Sequence, residues 1–384
     1  MREKKPVVVR TSYGCSLALE VRYYRRNCDR RKGKRHAGLY AGCVLLGIYE
    51  RCTPAVSSQV GMMAATLASF AETQQMLAEQ GNELDIKTVR LLAYRAAERA
   101  RMAQKMGEYG WQEQDNLAGR RVVVSTDGGR IRLREKKRGP KTGKGRTRYH
   151  GAWREPKLCI IYVVDEEGRQ HQQFAPLIDG VLNGPDALFA LLTSYLQELH
   201  IEEADQLLFI SDGAVWIWNR IPALLQALDI TAEKVHFLID FFHAVEHLGR
   251  VAALRKDWKL RVRKRWFNHQ RKLLHQGQVD QVIEAVRRLC RGRNSRAIRT
   301  QLNYFVKHRT HMAYDRIAQL NLPIGSGAIE SAIRRVVNLR LKGPAIFWCK
   351  QNAGAILMLR AFYKSGRWRQ FISMALSPIH AFSL

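Results

Sequence analysis

Short apolar segments between residues 121 and 239 constrain the fold more than any other feature of the sequence. They are rich in Val, Ile and Leu and lie at residues 121–126, 157–165, 207–211 and 235–239. Continuous apolar runs of this length are typical of buried strands. Residues 170–178 predict a further strand that forms a hairpin with 157–165. Helices are predicted at 185–200 and 215–228, so the order indicates an α/β fold with a mixed sheet.

The rest of the chain predicts helices around this core. Ser69 and Glu72 form a capping-box pattern, Gly81 and Asn82 end that helix, and Asp85 caps a second helix at 86–105. Two helices around a glycine turn predict either a helix-turn-helix or a plain helical bundle. We therefore expect five segments. They are a basic strand-rich arm (1–53), a helical DNA-binding region (54–118), a first core part (119–248), a basic helical insertion (249–319), and a last core part with C-terminal helices (320–384). Within the last segment, a hydrophobic helix at 352–371 is predicted to cover the sheet.

The positive charge is unevenly distributed. The chain has 64 Lys and Arg against 34 Asp and Glu, a net charge of +30. Eight basic residues lie between Arg22 and Arg35, ten lie within 130–150, and the segment 249–319 carries a net +15. Such an excess on a folded protein predicts a polyanionic partner such as a nucleic acid. The candidate DNA-binding residues are Lys87, Arg90, Arg95, Lys136, Lys137, Arg138, Arg261, Arg263, Lys264, Arg265, Arg340 and Lys342.

The sequence predicts a reduced, cytoplasmic protein that does not enter a membrane. Residues 1–10 lack the apolar core of a signal peptide, and the longest apolar run, 37–49, is too short to cross a bilayer. The seven cysteines are scattered and include no CxxC pair, which argues against a zinc finger or a disulfide framework.

Three acidic residues occupy positions typical of a metal site. Asp127 and Asp212 each follow an apolar strand and precede glycine, and Glu330 lies just inside a helix that follows a Gly-Ser-Gly loop. Carboxylates that converge in this way require a cation, and their hard oxygen atoms favour Mg²⁺ or Mn²⁺. Two such ions would clamp the attacking and leaving oxygens of a phosphoryl displacement. Each aspartate taken alone is typical of a turn.

Other residues near these acids leave alternatives open. Asp240 also follows an apolar strand, so it is a rival for the second acidic position, and it can instead cap a helix. His243 lies one helical turn beyond it, and Arg334 lies one turn beyond Glu330. Trp216 and Trp218 are expected either to stack on a base or to pack in the core.

Four blocks of sequence resemble the DDE transposases of bacterial insertion sequences, in particular the Mutator-like group and its Kra-type branch. The blocks are DGG at 127–129, SDGAVWIW at 211–218, DFFHAVEHL at 240–248 and GSGAIES at 325–331. The resemblance covers about residues 54–365. It implies an RNase H-like core with a helical insertion between the second Asp and the Glu. Asp127, Asp212 and Glu330 would be the metal-binding triad, and Asp240 with His243 would match the D-x-x-H motif of such enzymes.

The resemblance implies a catalytic function on double-stranded DNA. Two Mg²⁺ or Mn²⁺ ions would support hydrolysis at the transposon ends and strand transfer of the 3′-hydroxyl into target DNA. A homodimer or larger assembly on DNA, and a bacterial, nucleoid-associated location, would follow. Two alternatives remain: an RNase H-like nuclease without strand transfer, and a catalytically silent, transposase-derived DNA-binding protein. Paired N-terminal cysteines found in some relatives are absent here.

Overall fold

The computed structural model describes residues 2–24, 39–290 and 296–378. The basic run at 25–35 lies outside the described residues. Within the described part the strands are β1 (Arg2–Arg10), β2 (Ser16–Tyr24), β3 (Leu39–Tyr40), β4 (Arg121–Gly128), β5 (Ile131–Lys136), β6 (Tyr149–Arg154), β7 (Lys157–Val164), β8 (Leu177–Val181), β9 (Gln206–Ser211) and β10 (Val235–Ile239).

The helices connect and surround these strands. Those of the described residues are α1 (Ala41–Leu45), α2 (Pro54–Thr66), α3 (Phe70–Glu79), α4 (Ile86–Lys105), α5 (Pro185–Glu198), α6 (Val215–Trp218), α7 (Ile221–Ala227), α8 (Phe241–Leu254), α9 (Leu260–His275), α10 (Val279–Cys290), α11 (Arg296–His308), α12 (Tyr314–Gln319), α13 (Gly327–Ala332), α14 (Lys350–Lys364) and α15 (Trp368–Leu376). A π-helix at Ile333–Asn338 follows α13 directly.

The chain divides into two compact units. Unit 1 comprises residues 1–112, 131–154 and 335–384. Its three-stranded sheet has the order β1-β2-β3, with all neighbours antiparallel. Helices α2, α4, α14 and α15 pack against one another, and β5 pairs with β6 in a separate antiparallel ribbon. Both predicted helix starts are confirmed. The Ser69 hydroxyl accepts a hydrogen bond from the Glu72 amide at 3.0 Å, and Asp85 accepts from the Lys87 amide at 2.8 Å.

Unit 2 comprises residues 113–130 and 155–334 and contains the predicted mixed sheet. The strand order is β10-β9-β4-β7-β8. Strands β10, β9 and β4 run parallel, and β7 and β8 each pair antiparallel with their neighbour. Every residue of β7 is buried, as its apolar sequence requires. The α/β fold class with a mixed sheet is therefore confirmed.

The inserted segment of unit 2 is helical, as its sequence predicts. Helices α8, α9, α10 and α11 pack on one another. A cluster of Val251, Val286 and Ile298 joins α8, α10 and α11, and each of these side chains is at most 2% exposed. Apolar residues at helical spacing therefore form a small core of their own, which leaves the basic residues of the segment for the outer faces.

Three sequence-based boundaries are wrong. The strand predicted at 170–178 begins only at Leu177, because a turn at residues 172–174 interrupts the ladder and Pro176 has no amide hydrogen to donate to it. The helix predicted at 215–228 is interrupted between α6 and α7, just before Pro222. The single C-terminal helix is two helices that break at Gly366, whose φ is +78°. These two helices pack on α2 and α4, whose apolar faces accept them, rather than on the core sheet.

In the part of the chain that the structure describes, we find no helix with the length and apolar character needed to cross a membrane.

Candidate active site

Three aspartates lie at one edge of the unit 2 sheet. Asp127 lies near the end of β4, and Asp212 and Asp240 directly follow β9 and β10. Because these three strands are parallel neighbours, their carboxyl ends open on the same crevice. A hydrogen bond of 3.1 Å from the Thr126 amide to the Ser211 hydroxyl joins β4 and β9 just before their aspartates. The sheet topology thus holds the acids of the apolar strands side by side.

Asp127 is the most perturbed acid of the group. One of its carboxylate oxygens accepts a hydrogen bond of 2.6 Å from the Gly128 amide. Burial, together with the negative charges of Asp212, Glu155 and Glu330, raises the pKa of Asp127 to about 6, although that hydrogen bond opposes the shift. Asp127 therefore shares its electrostatic environment with the two other acids of the predicted triad.

Asp212 is held in a tight turn against the inserted helices. Its carboxylate accepts a hydrogen bond of 3.0 Å from the Ala214 amide, and its carbonyl accepts one of 2.7 Å from the Trp218 indole. A Cβ atom on Gly213 would lie 2.7 Å from the Tyr304 ring and 3.0 Å from the His308 imidazole. Glycine is thus required at 213 so that α11 can approach the Asp212 turn.

Asp240 has a different environment from the other two aspartates. It is 1% exposed and is the N-cap of α8, where one carboxylate oxygen accepts a hydrogen bond of 2.5 Å from the His243 amide. The other oxygen accepts a hydrogen bond from the Ser326 amide. Asp240 therefore ties the end of β10 to the Gly-Ser-Gly loop that leads to Glu330. Both of its carboxylate oxygens accept bonds from backbone amides, which fits the capping role better than the rival metal-binding role.

Glu330 reaches the site from α13, which packs against β4 and β7. Its side chain is exposed to solvent. Partial burial and the charges of Asp240 and Glu246 raise the pKa of Glu330, while His243 lowers it. Glu330 thus interacts with acids from two strands and from α8, and the loop anchored by Asp240 determines where α13 begins.

The donor chemistry of Asp127, Asp212 and Glu330 fits a hard divalent cation. All three are carboxylates, and their mutual repulsion is relieved by a cation. The three do not form a closed cluster, however. Among the described residues, only His200, Glu202 and Glu203 bring three potential ligand atoms within 4.8 Å of one another, and all three are exposed at the surface. A metal ion would have to draw the three acids of the sheet edge closer together.

A group of histidine and aromatic rings adjoins the acids. The His247 ring stacks on Tyr304 with their centroids 3.6 Å apart, and the His247 Nδ1 lies 2.7 Å from the Gln301 amide oxygen. Burial raises the pKa of Tyr304, and the charges of Asp212 and Asp240 add to that shift. The Tyr304 hydroxyl is buried and has no hydrogen-bond partner among the described residues. The insertion therefore contributes a wall of rings to the site.

His308 is the most deeply buried histidine of this group and is only 5% exposed. Burial lowers the pKa of His308 to about 4, and the neighbouring cationic or titratable groups act in the same direction. These groups are Lys307, His311, His247 and His243. A pKa below that of an unfolded histidine means that the unfolded chain binds more protons between pH 4 and 6.5.

The stability of unit 2 is therefore expected to depend on His308 in mildly acidic solution. Neutral His308 makes its full contribution to the unfolding free energy above pH 6.5. This contribution decreases by about 2–3 kcal/mol as the pH falls towards 4. We expect the His308→Gln variant to show a flatter decrease of the unfolding free energy between pH 7 and pH 4.5, measured by urea denaturation. His269→Gln, at an exposed position on α9, serves as the control. An identical pH profile of wild type and His308→Gln would contradict the prediction.

Several residues of the site were not identified by the sequence. Lys157 is 5% exposed, lies in β7 opposite Gly128, and pairs with Glu155 at 2.6 Å. Its ammonium also lies 4.0 Å from the centre of the Trp216 ring. The sequence shows only a single lysine at the start of an apolar strand, and nothing in that pattern indicates that Lys157 is buried beside Glu155 and Trp216. Tyr304 and His308 were missed too, although their i, i+4 spacing places them on one face of α11.

The structure separates the predicted DNA-binding residues by exposure. Arg340 is only 6% exposed, and its guanidinium lies over the Phe70 and Trp348 rings, so it is a packing residue rather than a surface cation. Arg263 is half-buried and donates to the Arg255 carbonyl at 2.9 Å, near the end of α8. The other candidates are exposed, as is Arg334: Lys87, Arg90, Arg95, Lys136, Lys137, Arg138, Arg261, Lys264, Arg265 and Lys342.

Both tryptophans after Asp212 contact other rings of unit 2. Trp218 stacks on His311 with centroids 4.6 Å apart, and Trp216 makes an edge contact with Phe189 at 6.4 Å. These contacts support the packing alternative for both residues.

We compared the chain with protein-family models, curated proteins and solved structures and found no match.

Proposed function

We propose that the protein is a metal-dependent DNA transposase of the DDE type. The observation that carries the proposal is the shared environment of Asp127, Asp212 and Glu330. Two of these carboxylates come from the ends of neighbouring parallel strands and one from α13, and the charges of Asp212 and Glu330 both raise the pKa of Asp127. Acids so arranged on a rigid sheet edge are typical of a functional site rather than of a stabilising one.

The sheet of unit 2 supports an RNase H-like core. Three antiparallel strands that are neighbours in the sheet, β4, β7 and β8, adjoin the two parallel strands β9 and β10. The long helical segment from α8 to α12 lies between Asp212 and Glu330, where the resemblance predicts an insertion. The order of the acids along the chain and the elements that carry them are therefore consistent with the DDE interpretation and support the proposal.

In the proposed phosphoryl transfer, three acidic residues would hold the metal ions, and neighbouring residues would fix the positions of these acids. Asp127, Asp212 and Glu330 would hold two Mg²⁺ or Mn²⁺ ions, which would supply Lewis-acid activation of water and of the 3′-hydroxyl. Asp240 fixes the loop before Glu330, and Trp218 donates a hydrogen bond to the Asp212 carbonyl. Asp240 thus acts as a positioning residue, and His243 lies one turn beyond it on α8.

Double-stranded DNA is the partner that the charge distribution supports best. The exposed cations of α4, α9 and the ribbon would neutralise phosphates without reading sequence. A bacterial nucleoid location, and a dimer or larger assembly that pairs two transposon ends, belong to the same proposal.

A strand-transfer assay tests the proposal against its alternatives. The full-length protein is incubated with Mg²⁺, pre-cut transposon-end duplexes from the element that encodes it, and a supercoiled target plasmid. We expect joined products that depend on Mg²⁺ and disappear with EDTA. Cut products without joining would favour an RNase H-like nuclease. DNA binding without any product would favour a catalytically silent descendant, and each of these two results would overturn the proposal.

A further inference from the structure

We propose that the exposed face of the β5–β6 ribbon binds single-stranded DNA by stacking on unpaired bases. This ribbon face consists of Arg132, Arg134 and Lys136 from β5 and Tyr149, Gly151 and Trp153 from β6. The choice of DNA as the polynucleotide rests on the proposed function. The preference for an unpaired strand rests on the ribbon alone.

The register of the ribbon separates two unlike faces. Arg132 lies opposite Trp153, and Lys136 lies opposite Tyr149, so these residues share one face. The other face contains Ile131 and the residues Leu133, Glu135, His150, Ala152 and Arg154. Ile131 and Leu133 are buried, so that face, unlike the ribbon face, is covered by protein where these two side chains lie.

Contacts with the segment around residue 348 hold the ribbon in place. The Arg134 amide donates to the Trp348 carbonyl at 2.8 Å, and the Trp348 amide donates to the Arg132 carbonyl at 3.0 Å. The Trp348 side chain is 8% exposed. The ribbon is therefore a fixed platform and not a loose loop, which lowers the entropic cost of binding a ligand.

The ribbon face places a row of cations on β5 beside aromatic rings on β6. Arg132 lies 5.4 Å from the centre of the Trp153 ring and 4.5 Å from that of Phe347, and Arg134 lies 4.7 Å from that of Tyr149. Trp153 and Tyr149 nevertheless remain 48% and 47% exposed. Gly151 lies between them, and a Cβ atom there would overlap Phe347. The rings are thus held by cation–π contacts while about half of each side chain remains exposed to solvent.

The charge of the ribbon selects a polyanion. The six residues of the ribbon face include three cations and no acid. Glu135 lies on the opposite face, where it pairs with Arg154 and His150. Beyond the strands, the hydrogen bond from the Lys137 amide to the Arg148 carbonyl, 2.9 Å, extends the ladder towards a tip with six further exposed cations. These are Lys137, Arg138, Lys141, Lys144, Arg146 and Arg148.

The aromatic rings indicate which polyanion fits. A duplex keeps its bases stacked inside and offers phosphates to a cationic surface. Its base faces are therefore not accessible for stacking on two exposed aromatic rings. An unpaired strand offers base faces to the aromatic rings of β6 and phosphates to the exposed cations of β5, Arg134 and Lys136. Tyr149 and Trp153 are four residues apart on one strand, about 13 Å, so they would hold separate bases.

The test measures binding of the full-length protein to fluorescent oligonucleotides. A 20-nucleotide oligo(dT) and a 20-base-pair duplex are compared by anisotropy at fixed salt, because phosphate contacts depend strongly on salt. We expect Trp153→Ala to weaken oligo(dT) binding about 5- to 100-fold with a much smaller effect on the duplex. Tyr149→Ala is expected to act in the same direction. Trp153→Phe keeps a ring and should recover most of the affinity.

Arg154→Ala is the matched control, since it removes a cation from the opposite face of the same strand. It should change the binding of both oligonucleotides little. Quenching of tryptophan fluorescence by oligo(dT) should decrease in Trp153→Phe, which a purely structural role would not produce. Thermal unfolding of each variant verifies that it folds. Equal losses for duplex and oligo(dT), or no loss in the folded Trp153→Ala protein, would overturn the proposal.

The ribbon proposal and the proposed function can fail separately. Oligo(dT) binding through Trp153 without any Mg²⁺-dependent joining would keep the ribbon assignment and reject the transposase. Mg²⁺-dependent joining by a Trp153→Ala protein with unchanged oligo(dT) affinity would keep the proposed transposase function and reject the ribbon assignment.

Discussion

The Asp212→Asn variant is expected to lose Mg²⁺-dependent cleavage and strand transfer by more than about 100-fold, since even the loss of an outer-shell partner of a metal ligand costs 10- to 100-fold. Asparagine is nearly isosteric and retains an acceptor for the Ala214 amide, 3.0 Å from the aspartate oxygen. The turn that leads into α6 should therefore survive. The substitution removes the negative charge that a divalent cation requires.

The measurement is the rate of strand transfer together with Mn²⁺ binding by calorimetry. Asp186→Asn is a suitable control, because Asp186 lies at the surface of unit 2 and pairs with Arg220 at 2.7 Å. It should have wild-type activity. Asp240→Asn decides the rival assignment. If a folded Asp240→Asn protein lost all joining while Asp212→Asn retained it, Asp240 and not Asp212 would be the second acid of the triad.

The Asp240→Ala variant is expected to destabilise unit 2 by about 2–4 kcal/mol. Loss of an N-cap costs about 0.5–2 kcal/mol, and a buried amide left without an acceptor costs about 1–3 kcal/mol more. Both losses apply here, because Asp240 caps α8 through the His243 amide and also accepts from the Ser326 amide. Since that second bond fixes the loop before α13, the position of Glu330 should be disturbed as well.

Urea denaturation of Asp240→Ala and Asp85→Ala tests this prediction. Asp85 also caps a helix, accepting from the Lys87 and Thr88 amides at 2.8 and 3.1 Å, but it is exposed, and its side-chain partners among the described residues all belong to α4. Asp85→Ala should therefore cost only about 1 kcal/mol. Equal destabilisation in the two variants would show that the bond from Asp240 to the loop contributes nothing.

Local sequence signals predicted much of the secondary structure. The apolar runs before Asp127 and Asp212 identified β4 and β9 because a strand buried on both faces needs continuous hydrophobicity. The capping residues Ser69 and Asp85 located two helix starts to the residue. Predictions failed where a single proline or glycine outweighed the periodicity, as at Pro176 and Gly366.

The sequence did not reveal the contacts that distinguish one acid or cation from another. Asp212 and Asp240 both follow an apolar strand, yet only Asp240 has its two carboxylate oxygens hydrogen-bonded to backbone amides from separate segments. Arg340 belonged to the same basic pattern as Lys342, but it is buried against two rings while Lys342 is exposed. The shared face of Arg132 and Trp153 depends on strand pairing across a long loop.

The sequence by itself determined the α/β class, the positive charge and the order of the acidic residues, because hydrophobic periodicity and charge are local properties of the chain. Tertiary structure alone decided which acids share an environment, which cations are exposed, and which aromatic rings lie beside arginines. Those outcomes depend on contacts between residues far apart in the chain. Asp127 and Glu330 are the clearest case, since they interact only because α13 packs on the strand that carries Asp127.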